Sequence, residues 1–270
     1  MQNSESAKRG LVLLGCGKMG SAMLEGWLGR GLPATSVWVS DPHPSDWLRQ
    51  QGVHLNQDLP ASPAVVLIAV KPQMMSDALP SLQALGNGNT VFLSVAAGIP
   101  IATYERMLGE KTPIIRAMPN TPAAVGRGIT AIIGNRYAGA ADLDAAESLL
   151  SAVGEVVRLE DEGQMDAVTG VSGSGPAYVF HLIECLAAAG VAEGLSADLA
   201  LQLARATVAG AGALAMAGDD PGQLRRNVTS PNGTTQAGLE VLMDDTEGLP
   251  RLIRETVRAA TARSRELANG

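Results

Sequence analysis

The fold of the chain is decided by residues 11–20, which read LVLLGCGKMG. The four apolar residues at its start, Leu11–Leu14, predict a short buried parallel strand that stops at Gly15. A GxGxxG pattern follows, and a helical stretch from Lys18 to Gly31 begins inside it. In this context glycines allow a tight turn and a close approach to a pyrophosphate, which binds N–H groups at the helix N-terminus. We therefore predict a dinucleotide site, with an ordinary strand–helix turn as the alternative; the residues assigned to the cofactor are Gly15, Cys16, Gly17, Lys18, Met19 and Gly20.

The end of the second predicted strand, Val37–Val39, carries the residues that select the ribose. We expect Ser40 and Asp41 to contact the cofactor there, since Asp41 lies 21 residues beyond the last glycine of the motif. An acid about 20 residues after the glycines accepts the ribose 2′-hydroxyl and favours NADH, whereas a 2′-phosphate prefers a hydroxyl or a cation. His43 and Arg49 are nearby basic residues that would allow NADPH, or are solvated surface residues. The predicted cofactor is NADPH or NADH.

Further apolar runs predict strands that alternate with helices. The strands are expected at Val65–Val70, Val91–Val95 and Ile114–Met118, with edge strands at Ile129–Ile133 and Val156–Leu159 around a helix at Ala140–Ala152. Such an alternation is typical of a parallel sheet. No strand is predicted after about Glu160. We therefore predict an α/β protein: an N-terminal Rossmann-like, doubly wound parallel sheet in residues 1–160, followed by an all-helical dimerisation domain in residues 161–270.

The predicted helices of the second half are unusually apolar. They cover Pro176–Glu193, Asp198–Ala217, a helix that starts at Asp220-Pro221, Gln236–Met243 and Leu249–Leu267. The first of them is apolar nearly all round, so we expect it to be buried on several sides. Because such helices must be covered, we expect an intertwined homodimer through residues 161–270, with the active site at or near the interface.

Three loops follow predicted strands at the edge of the sheet where ligands bind in open α/β proteins. They are Val70-Lys71-Pro72, the loop that contains Ala97, and the loop that ends at Asn120. Lys71 either holds a phosphate or caps a strand. The Asn120 amide stands where a nicotinamide would lie, although asparagine after proline is also an ordinary turn residue. We assign Val70, Lys71, Pro72, Ala97 and Asn120 to the cofactor site.

Charge and composition exclude several classes of partner. A net charge of −7 argues against nucleic acid, which normally requires a basic surface. The two cysteines, Cys16 and Cys185, have neither a disulfide pattern nor a metal-binding spacing, so we predict no metal and a reducing, cytoplasmic compartment. The polar N-terminus MQNSESAKRG has no apolar core typical of a secretory signal. We also expect no membrane association.

Several segments together resemble the pyrroline-5-carboxylate reductase family. They are GCGKMG at 15–20, AVKP at 69–72, MPNTPA at 118–123, GSGPAY at 173–178 and NVTSPNGTTQAGLEVLMD at 227–244. The resemblance covers nearly the whole chain, and the last segment is the most specific. It implies hydride transfer from NAD(P)H to the C=N bond of 1-pyrroline-5-carboxylate to give L-proline, the final step of proline biosynthesis. It also implies a homo-oligomer of dimers, up to a decamer.

The resemblance implies roles for individual residues as well. Asn227, Thr234 and Thr235 are expected to contact the substrate. The GCGKMG loop, Asn56, Val70, Lys71 and Ala97 are expected to contact the dinucleotide. Asp41 departs from the hydroxyl often found at this position in members that prefer NADPH, which leaves the cofactor preference open.

The residue types in the helical half agree with imine reduction. A bound cyclic imine is protonated, so hydride transfer to it requires orientation more than a strong acid. The helical half has one histidine, His181, and no lysine, because Lys111 is the last lysine of the chain. A β-hydroxyacid dehydrogenase, the nearest rival, uses a lysine on a helix of its second domain. Reduction of a related cyclic imine and NADP sensing without catalysis are two further functions that such a chain could have. His181 and Glu184 are expected to form a relay or a structural pair.

The loop Ser230–Thr235 is predicted to form the substrate site. It runs into the helix expected near Gln236, whose free N–H groups and dipole favour an anion. We expect the backbone around Gly233 and Thr234 to hold the substrate carboxylate, and the Thr235 hydroxyl to reach the ring nitrogen as the catalytic contact. Asn227 and Ser230 would steady the loop or touch the carboxylate. The competing interpretations are that Arg225 and Arg226 hold the anion, and that Thr235 is only a helix N-cap.

Overall fold

The structure, a computed structural model, describes residues 4–269. Within these residues one eight-stranded sheet is formed, in the order β3-β2-β1-β4-β5-β6-β7-β8. The strands are β1 (Leu11–Leu14), β2 (Val37–Ser40), β3 (His54–Leu55), β4 (Val65–Ile68), β5 (Val91–Ser94), β6 (Ile114–Met118), β7 (Gly128–Gly134) and β8 (Gly154–Arg158). All neighbours are parallel except β6 and β7, which are antiparallel. The prediction of a Rossmann-like, mostly parallel sheet is confirmed.

Two details of the predicted sheet were wrong. The strand at 129–133 was expected at an edge, but β7 lies between β6 and β8, and only β8 is an edge strand on that side. The connection from β6 to β7 holds only a short 3₁₀ turn, Thr121–Val125, and a connection without a crossover helix returns the chain antiparallel. The two-residue strand β3 was not predicted, because it is too short to show a periodic pattern.

Helices cover both faces of this sheet and form most of the described residues after β8. They are α1 (Glu5–Arg9), α2 (Lys18–Gly29), α3 (Asp46–Arg49), α4 (Met75–Ala78), α5 (Ile101–Leu108), α6 (Ala140–Leu150), α7 (Met165–Val168), α8 (Gly175–Ala192), α9 (Ala197–Ala215), α10 (Pro221–Asn227), α11 (Thr234–Leu242) and α12 (Leu249–Asn269). A π-helical turn, Thr169–Gly173, lies between α7 and α8. No strand occurs between residue 160 and residue 269, as predicted.

The core explains why β1 is apolar at every position. Leu11 and Leu13 join a cluster on one face of the sheet, which includes Trp27 of α2. Val12 and Leu14 join a second cluster on the opposite face, which includes Tyr104 of α5. A parallel strand covered on both faces must be apolar on both faces, and this strand is therefore buried throughout.

The chain divides into two compact units. One comprises the described residues through Gly173 together with those from Ala260 onward, and the other is Ser174–Ala259. This division comes later than the predicted boundary after residue 160. Residues 161–173 belong with the sheet because Met165 of α7 is buried and because Ser264 donates a hydrogen bond of 2.6 Å to Asp166 within the same unit. The two-domain assignment by function stays a prediction.

The helical unit leaves its apolar residues exposed. Helix α8 buries none of its residues, and Phe180 is 58% exposed. Within one copy of the chain α8 packs against α9 and stays partly exposed, so its burial on several sides remains a prediction that depends on a second copy. One helical stretch of the described residues, Glu162–Ala192, also has the length and composition to cross a membrane, and none of its apolar window is buried.

Candidate active site

The glycine-rich turn after β1 has the geometry of a phosphate-binding turn. Gly15 adopts φ +85°, and a Cβ there would lie 2.8 Å from Cγ1 of Val70. A Cβ at Gly20 would lie 2.6 Å from the carbonyl oxygen of Gly15, so glycine allows α2 to pack closely on the turn. At Gly17, by contrast, a Cβ would meet nothing within 4 Å. The first and third glycines are thus required by packing, whereas the second faces open space.

The N-terminus of α2 presents free donors to this open space. Gly17 is the N-cap residue, and no side chain caps the helix. The N–H groups of the first turn have no partner within the helix, and the helix dipole adds partial positive charge. Lys18 is exposed beside them. The turn therefore fits the pyrophosphate of a dinucleotide.

Asp41 joins this turn to the end of β2. Its Oδ2 accepts a 2.7 Å hydrogen bond from the Cys16 N–H, and its Oδ1 accepts one of 2.7 Å from the His43 N–H. The carbonyl oxygen of Ser40 accepts the Gly15 N–H at 2.8 Å. Asp41 therefore holds the glycine-rich turn in place, a role that was not expected. Each carboxylate oxygen keeps a further lone pair with which it can accept the ribose hydroxyl.

Asn56 fixes the backbone of Asp41. Its Oδ1 accepts the Asp41 N–H at 2.9 Å, and its Nδ2 donates to the Asp41 carbonyl oxygen at 2.8 Å. Asn56 adopts φ +51°, a left-handed conformation that asparagine tolerates better than most residues. This reciprocal pair places Asn56 beside the predicted ribose position.

Cys16 contributes to the glycine-rich turn through its backbone N–H and carbonyl groups, whereas its thiol is buried and unreactive. Burial raises the pKa of the Cys16 thiol, an effect that a Ser21 hydrogen bond partly opposes and the charge of Asp41 reinforces. The thiol therefore stays protonated near neutral pH and is a poor nucleophile. Ser21 also donates to the Cys16 carbonyl oxygen at 2.9 Å, which further orders the turn.

The sheet brings the other predicted cofactor residues to the same edge. Leu14 pairs with Ile68, and Ile68 pairs with Ser94, so the turns after β1, β4 and β5 leave the sheet side by side. Lys71 is exposed at the start of the turn Pro72–Met74, and its side chain makes no capping hydrogen bond to that turn. Ala97 is exposed in the turn after β5. Val70 and Pro72 are half-buried.

Asn120 makes two hydrogen bonds within the protein that the sequence did not predict. Its side chain is nearly buried, its Oδ1 accepts the Ile129 N–H at 3.0 Å, and its Nδ2 donates to the Ser172 carbonyl oxygen at 3.2 Å. The amide thus connects the turn after β6 to β7 and to the π-helical turn. One N–H of the amide stays available for a ligand.

Four polar residues beneath the turn after β5 were not predicted from the sequence. They form the Glu162 cluster, which we define as Ser94, Tyr104, Arg116 and Glu162. Arg116 and Glu162 are joined by an ion pair of 2.7 Å. Burial raises the pKa of Tyr104 to about 12, although hydrogen bonding to Ser94 and the charge of Arg116 lower it and the charge of Glu162 raises it. The signal available in the sequence was one arginine in the otherwise apolar run IIRAM, residues 114–118.

The predicted substrate loop forms a tight turn at the start of α11. The Gly233 N–H donates to the Ser230 carbonyl oxygen at 3.1 Å, and Asn232 adopts φ +57°. A Cβ at Gly233 would lie 3.1 Å from the Ser230 carbonyl oxygen and 2.5 Å from its rotatable hydroxyl, so a side chain there would be crowded. The Asn232 N–H donates to Oε1 of Gln236 at 2.8 Å, so the loop is closed onto the helix that follows it.

Helix α11 begins at Thr234, two residues before the predicted Gln236, and this changes the role of Thr235. Gly233 is the N-cap residue and no side chain caps the helix. The interpretation of Thr235 as a helix cap is therefore wrong. Thr234 and Thr235 are exposed in the first turn of α11, and among the described residues neither hydroxyl has a hydrogen-bond partner. The free N–H groups of this turn can bind an anion, with the Thr235 hydroxyl beside them.

The remaining candidates near this loop are engaged with neighbours. Oδ1 of Asn227 accepts from Nε2 of Gln223 at 2.6 Å. Arg226 binds the same Gln223 side chain at 2.7 Å, whereas Arg225 points at the sulfur of Met243. The two arginines thus diverge as expected. They lie along a cavity of about 590 Å³, which is lined by Arg225, Arg226, Thr229, Gln236, Leu239, Glu240 and Met243.

His181 and Glu184 form the pair that their spacing predicted. Nδ1 of His181 lies 3.0 Å from Oε2 of Glu184, and both side chains are about three-quarters exposed. The sulfur of Cys185 lies 3.6 Å from Nε2 of His181.

A doubly wound sheet with a glycine-rich turn at the start of its first helix defines the class of dinucleotide-binding proteins. Comparison with known proteins agrees and is more specific. The family "NADP oxidoreductase coenzyme F420-dependent" matches residues 10–98, and the family "Pyrroline-5-carboxylate reductase dimerisation" matches residues 162–267.

Individual relatives cover nearly the whole chain. A pyrroline-5-carboxylate reductase of Synechocystis is 42% identical, over 95% of this chain and 97% of its own. The structure of a pyrroline-5-carboxylate reductase from Coxiella burnetii superposes with a TM-score of 0.91 at 32% identity, covering 96% of this chain and 98% of that one. A Plasmodium falciparum pyrroline carboxylate reductase, solved with NADP bound, superposes with a TM-score of 0.82 at 27% identity. That match covers 97% of this chain and 99% of the other. The chain belongs to the pyrroline-5-carboxylate reductase family and is an NAD(P)H-dependent oxidoreductase.

Proposed function

We propose that this protein reduces the C=N bond of 1-pyrroline-5-carboxylate to L-proline, the final step of proline biosynthesis. The single observation that carries the proposal is the full-length identity of 42% to a pyrroline-5-carboxylate reductase. The residues agree with the chemistry, since the helical half has no lysine of the kind that a β-hydroxyacid dehydrogenase uses. A turnover assay with NADPH and pyrroline-5-carboxylate tests the proposal; a protein that binds NADPH without turnover would be a sensor.

The nucleotide site uses the turns at one edge of the sheet. The N–H groups at the start of α2 bind the pyrophosphate, with Gly15, Cys16, Gly17, Lys18, Met19 and Gly20 in contact. Ser40, Asp41 and Asn56 surround the ribose, and Val70, Lys71, Pro72, Ala97 and Asn120 border the remaining part of the dinucleotide. When bound, the reduced nicotinamide supplies the hydride.

The substrate site uses the start of α11. The free N–H groups of the first turn of α11, from Thr234 onward and next to the N-cap residue Gly233, hold the substrate carboxylate, and the Thr235 hydroxyl orients the ring nitrogen. Asn227 and Ser230 support the loop. This arrangement is suited to an iminium substrate, which requires a fixed orientation and no strong proton donor.

Substitution of Thr235 tests this assignment. Thr235→Ala and Thr235→Val are each expected to lower kcat/KM by about tenfold or more, a loss of about 1.4 kcal/mol of transition-state stabilisation. Thr235→Ser should retain most activity because the hydroxyl is preserved. Steady-state kinetics with pyrroline-5-carboxylate, together with NADPH affinity by fluorescence titration, measure both effects, and the NADPH affinity should not change.

The matched control is Ser196→Ala. The Ser196 hydroxyl accepts from the Leu199 N–H and caps α9, so its loss should lower the melting temperature without changing kcat/KM. Thr235→Ala should show the reverse, because Gly233 and not Thr235 caps α11. Wild-type kcat/KM in Thr235→Ala would remove Thr235 from the catalytic site.

The dimerisation family supports self-association. We further propose a homodimer formed through the exposed apolar helices, with dimers assembling up to a decamer in the cytoplasm. Partners other than the small-molecule substrate and a second copy of the chain are not expected. The net charge of −7 disfavours nucleic acid. The exposed helix α8, which belongs to the apolar stretch Glu162–Ala192, is assigned to contacts between copies and not to a membrane.

A further inference from the structure

The Glu162 cluster contains an ion pair between a buried arginine and a half-buried glutamate, which packing alone does not require. The Arg116 side chain is 7% exposed and that of Glu162 is 32% exposed, and their closest atoms are 2.7 Å apart. Moving an ion pair out of water is unfavourable enough that apolar residues of similar volume are often equally stable. The charges therefore point to a task besides stability, and the hydrogen bonds of Glu162 indicate which one.

Glu162 caps a helix that is distant in sequence. Its Oε1 accepts the Ile101 N–H at 2.9 Å, in addition to the bond from Arg116. Ile101 is the first residue of α5, and the N-cap residue, Pro100, has no side chain that could cap it. A carboxylate at this position satisfies a free N–H group and interacts favourably with the helix dipole. Glu162 thus sets where α5 starts.

The other end of the preceding loop is held by the same cluster. The loop covers residues 95–100, directly after Ser94 at the end of β5. The Ser94 hydroxyl accepts the Ala96 N–H at 3.3 Å and lies 2.5 Å from the hydroxyl of Tyr104, which is itself fully buried on α5. Both ends of the loop are therefore attached to buried polar groups, while Ala97 at its middle is exposed.

We propose that Glu162, balanced by Arg116, is a positioning residue for the nucleotide site. It acts through the Ile101 N–H to hold loop 95–100 in the conformation that presents Ala97 to the dinucleotide. This inference rests on the proposed contact between Ala97 and the cofactor. Glu162 itself touches neither cofactor nor substrate.

Two variants test the proposal. Glu162→Ala removes the cap and leaves the Arg116 charge unpaired. The double variant Arg116→Met with Glu162→Met removes the cap and both charges while it keeps the side-chain volume, so it should be less destabilised than Glu162→Ala, which leaves a charge unpaired. In both, the NADPH Kd of the nucleotide-free protein, measured by fluorescence titration, should rise about tenfold or more. Amide hydrogen exchange at 96–98 should also become faster without nucleotide.

Steady-state kinetics separate positioning from general destabilisation. The KM for NADPH should rise by the same factor as its Kd, whereas kcat at saturating NADPH and the KM for pyrroline-5-carboxylate should stay within about twofold. Destabilisation alone would lower kcat by reducing the amount of active enzyme and would leave the NADPH KM unchanged. The matched control is Glu147→Ala, which removes an exposed 2.6 Å ion pair with Arg158 of β8. This variant should change neither the KM for NADPH nor kcat.

The two proposals fail in different ways. Wild-type NADPH affinity and wild-type exchange at 96–98 in the double variant would overturn the role of Glu162, whatever the wild-type enzyme reduces. Absence of pyrroline-5-carboxylate turnover by the wild type would overturn the proposed function, and the NADPH titration would still decide the role of Glu162.

Discussion

Asp41 has one observed role and one proposed role. Its carboxylate accepts hydrogen bonds from the N–H groups of Cys16 and His43, and we propose that it also selects the ribose. A negative charge at this place repels the 2′-phosphate of NADPH and accepts the 2′-hydroxyl of NADH. The same charge also stabilises the glycine-rich turn. Substitution should therefore affect the selectivity between cofactors more strongly than binding of the parts that both cofactors share.

We expect Asp41→Ser to shift the ratio of kcat/KM for NADPH over NADH about tenfold toward NADPH, because one charge repulsion at a partly buried site is removed. Kinetics with each cofactor measure the ratio. The control is Asp58→Ser, which removes an exposed acid after β3 and should leave the ratio of the two kcat/KM values unchanged. If the Asp41 variant keeps the wild-type ratio, its carboxylate serves only the turn.

Tyr104 gives the protein a predicted sensitivity to alkaline pH. Its pKa is raised to about 12, first by burial, so the folded protein keeps the phenolic proton at a pH where the unfolded chain, with a pKa of about 10, has lost it. Unfolding then releases a proton, and rising pH favours unfolding. The contribution of this proton to the free energy of unfolding is fully present below a pH of about 10. It is lost progressively toward a pH of about 12, a fall of about 2–3 kcal/mol.

Tyr104→Phe removes this titration. Urea unfolding at pH 9 and pH 11 is expected to show a smaller fall in the free energy of unfolding for Tyr104→Phe than for the wild type. Groups that titrate elsewhere in the chain affect both proteins equally, so the difference isolates Tyr104. Equal falls in the two proteins would contradict the raised pKa.

At the scale of an element, α2 offers two glycines in matched surroundings. A Cβ at Gly17 or at Gly29 would meet nothing within 4 Å. Gly17 is the N-cap at the phosphate-binding end, whereas Gly29 ends the same helix on its far side. Alanine should therefore be tolerated in the fold at both positions and should disturb ligand binding at only one.

We expect Gly17→Ala to raise the NADPH Kd by about tenfold or more, since the added methyl group occupies the space through which the pyrophosphate approaches the backbone. Gly29→Ala should leave the Kd unchanged. Both should melt within a few degrees of the wild type. Titration and thermal unfolding provide the measurements, and equal Kd values for the two variants would contradict the placement of the pyrophosphate at Gly17.

At the scale of the whole molecule, exposed apolar surface is concentrated in the helical unit. The side chains of Phe180, Leu182 and Leu186 of α8 are each more than 40% exposed. A stable protein in water normally covers an apolar surface of this kind. A second copy of the chain is the partner that the dimerisation family supports.

The wild type should therefore have the mass of a dimer or a multiple of it at micromolar concentration, measured by light scattering after size exclusion. Phe180→Glu should shift the population toward monomer, because a charge would have to be buried in an apolar contact. Val125→Glu, at a 76%-exposed residue of the sheet-containing unit, is the control and should keep the wild-type mass. A monomeric wild type would contradict the assembly.

The elements that the sequence determined by itself are those governed by neighbouring residues. The apolar run Leu11–Leu14, the turn Gly15–Gly20 and the apolar helices after residue 160 were predicted because burial periodicity and backbone conformation act over a few residues. The same local signals located the loop Ser230–Thr235. They were less accurate at element ends, where α11 starts two residues earlier than expected because Gly233, and not a hydroxyl side chain, caps it.

Only the tertiary structure decided the interactions between residues distant in sequence. Asp41 meets Cys16 across 25 residues and Glu162 meets Arg116 across 46, contacts that depend on the order and direction of the strands. The internal place of β7 has the same origin, since its neighbours are chosen by long-range pairing. A local pattern specifies the type of an element, whereas hydrogen bonds between elements specify which of them meet. For this reason the glycine-rich turn was visible in the sequence, and the cluster that supports the loop beside it was not.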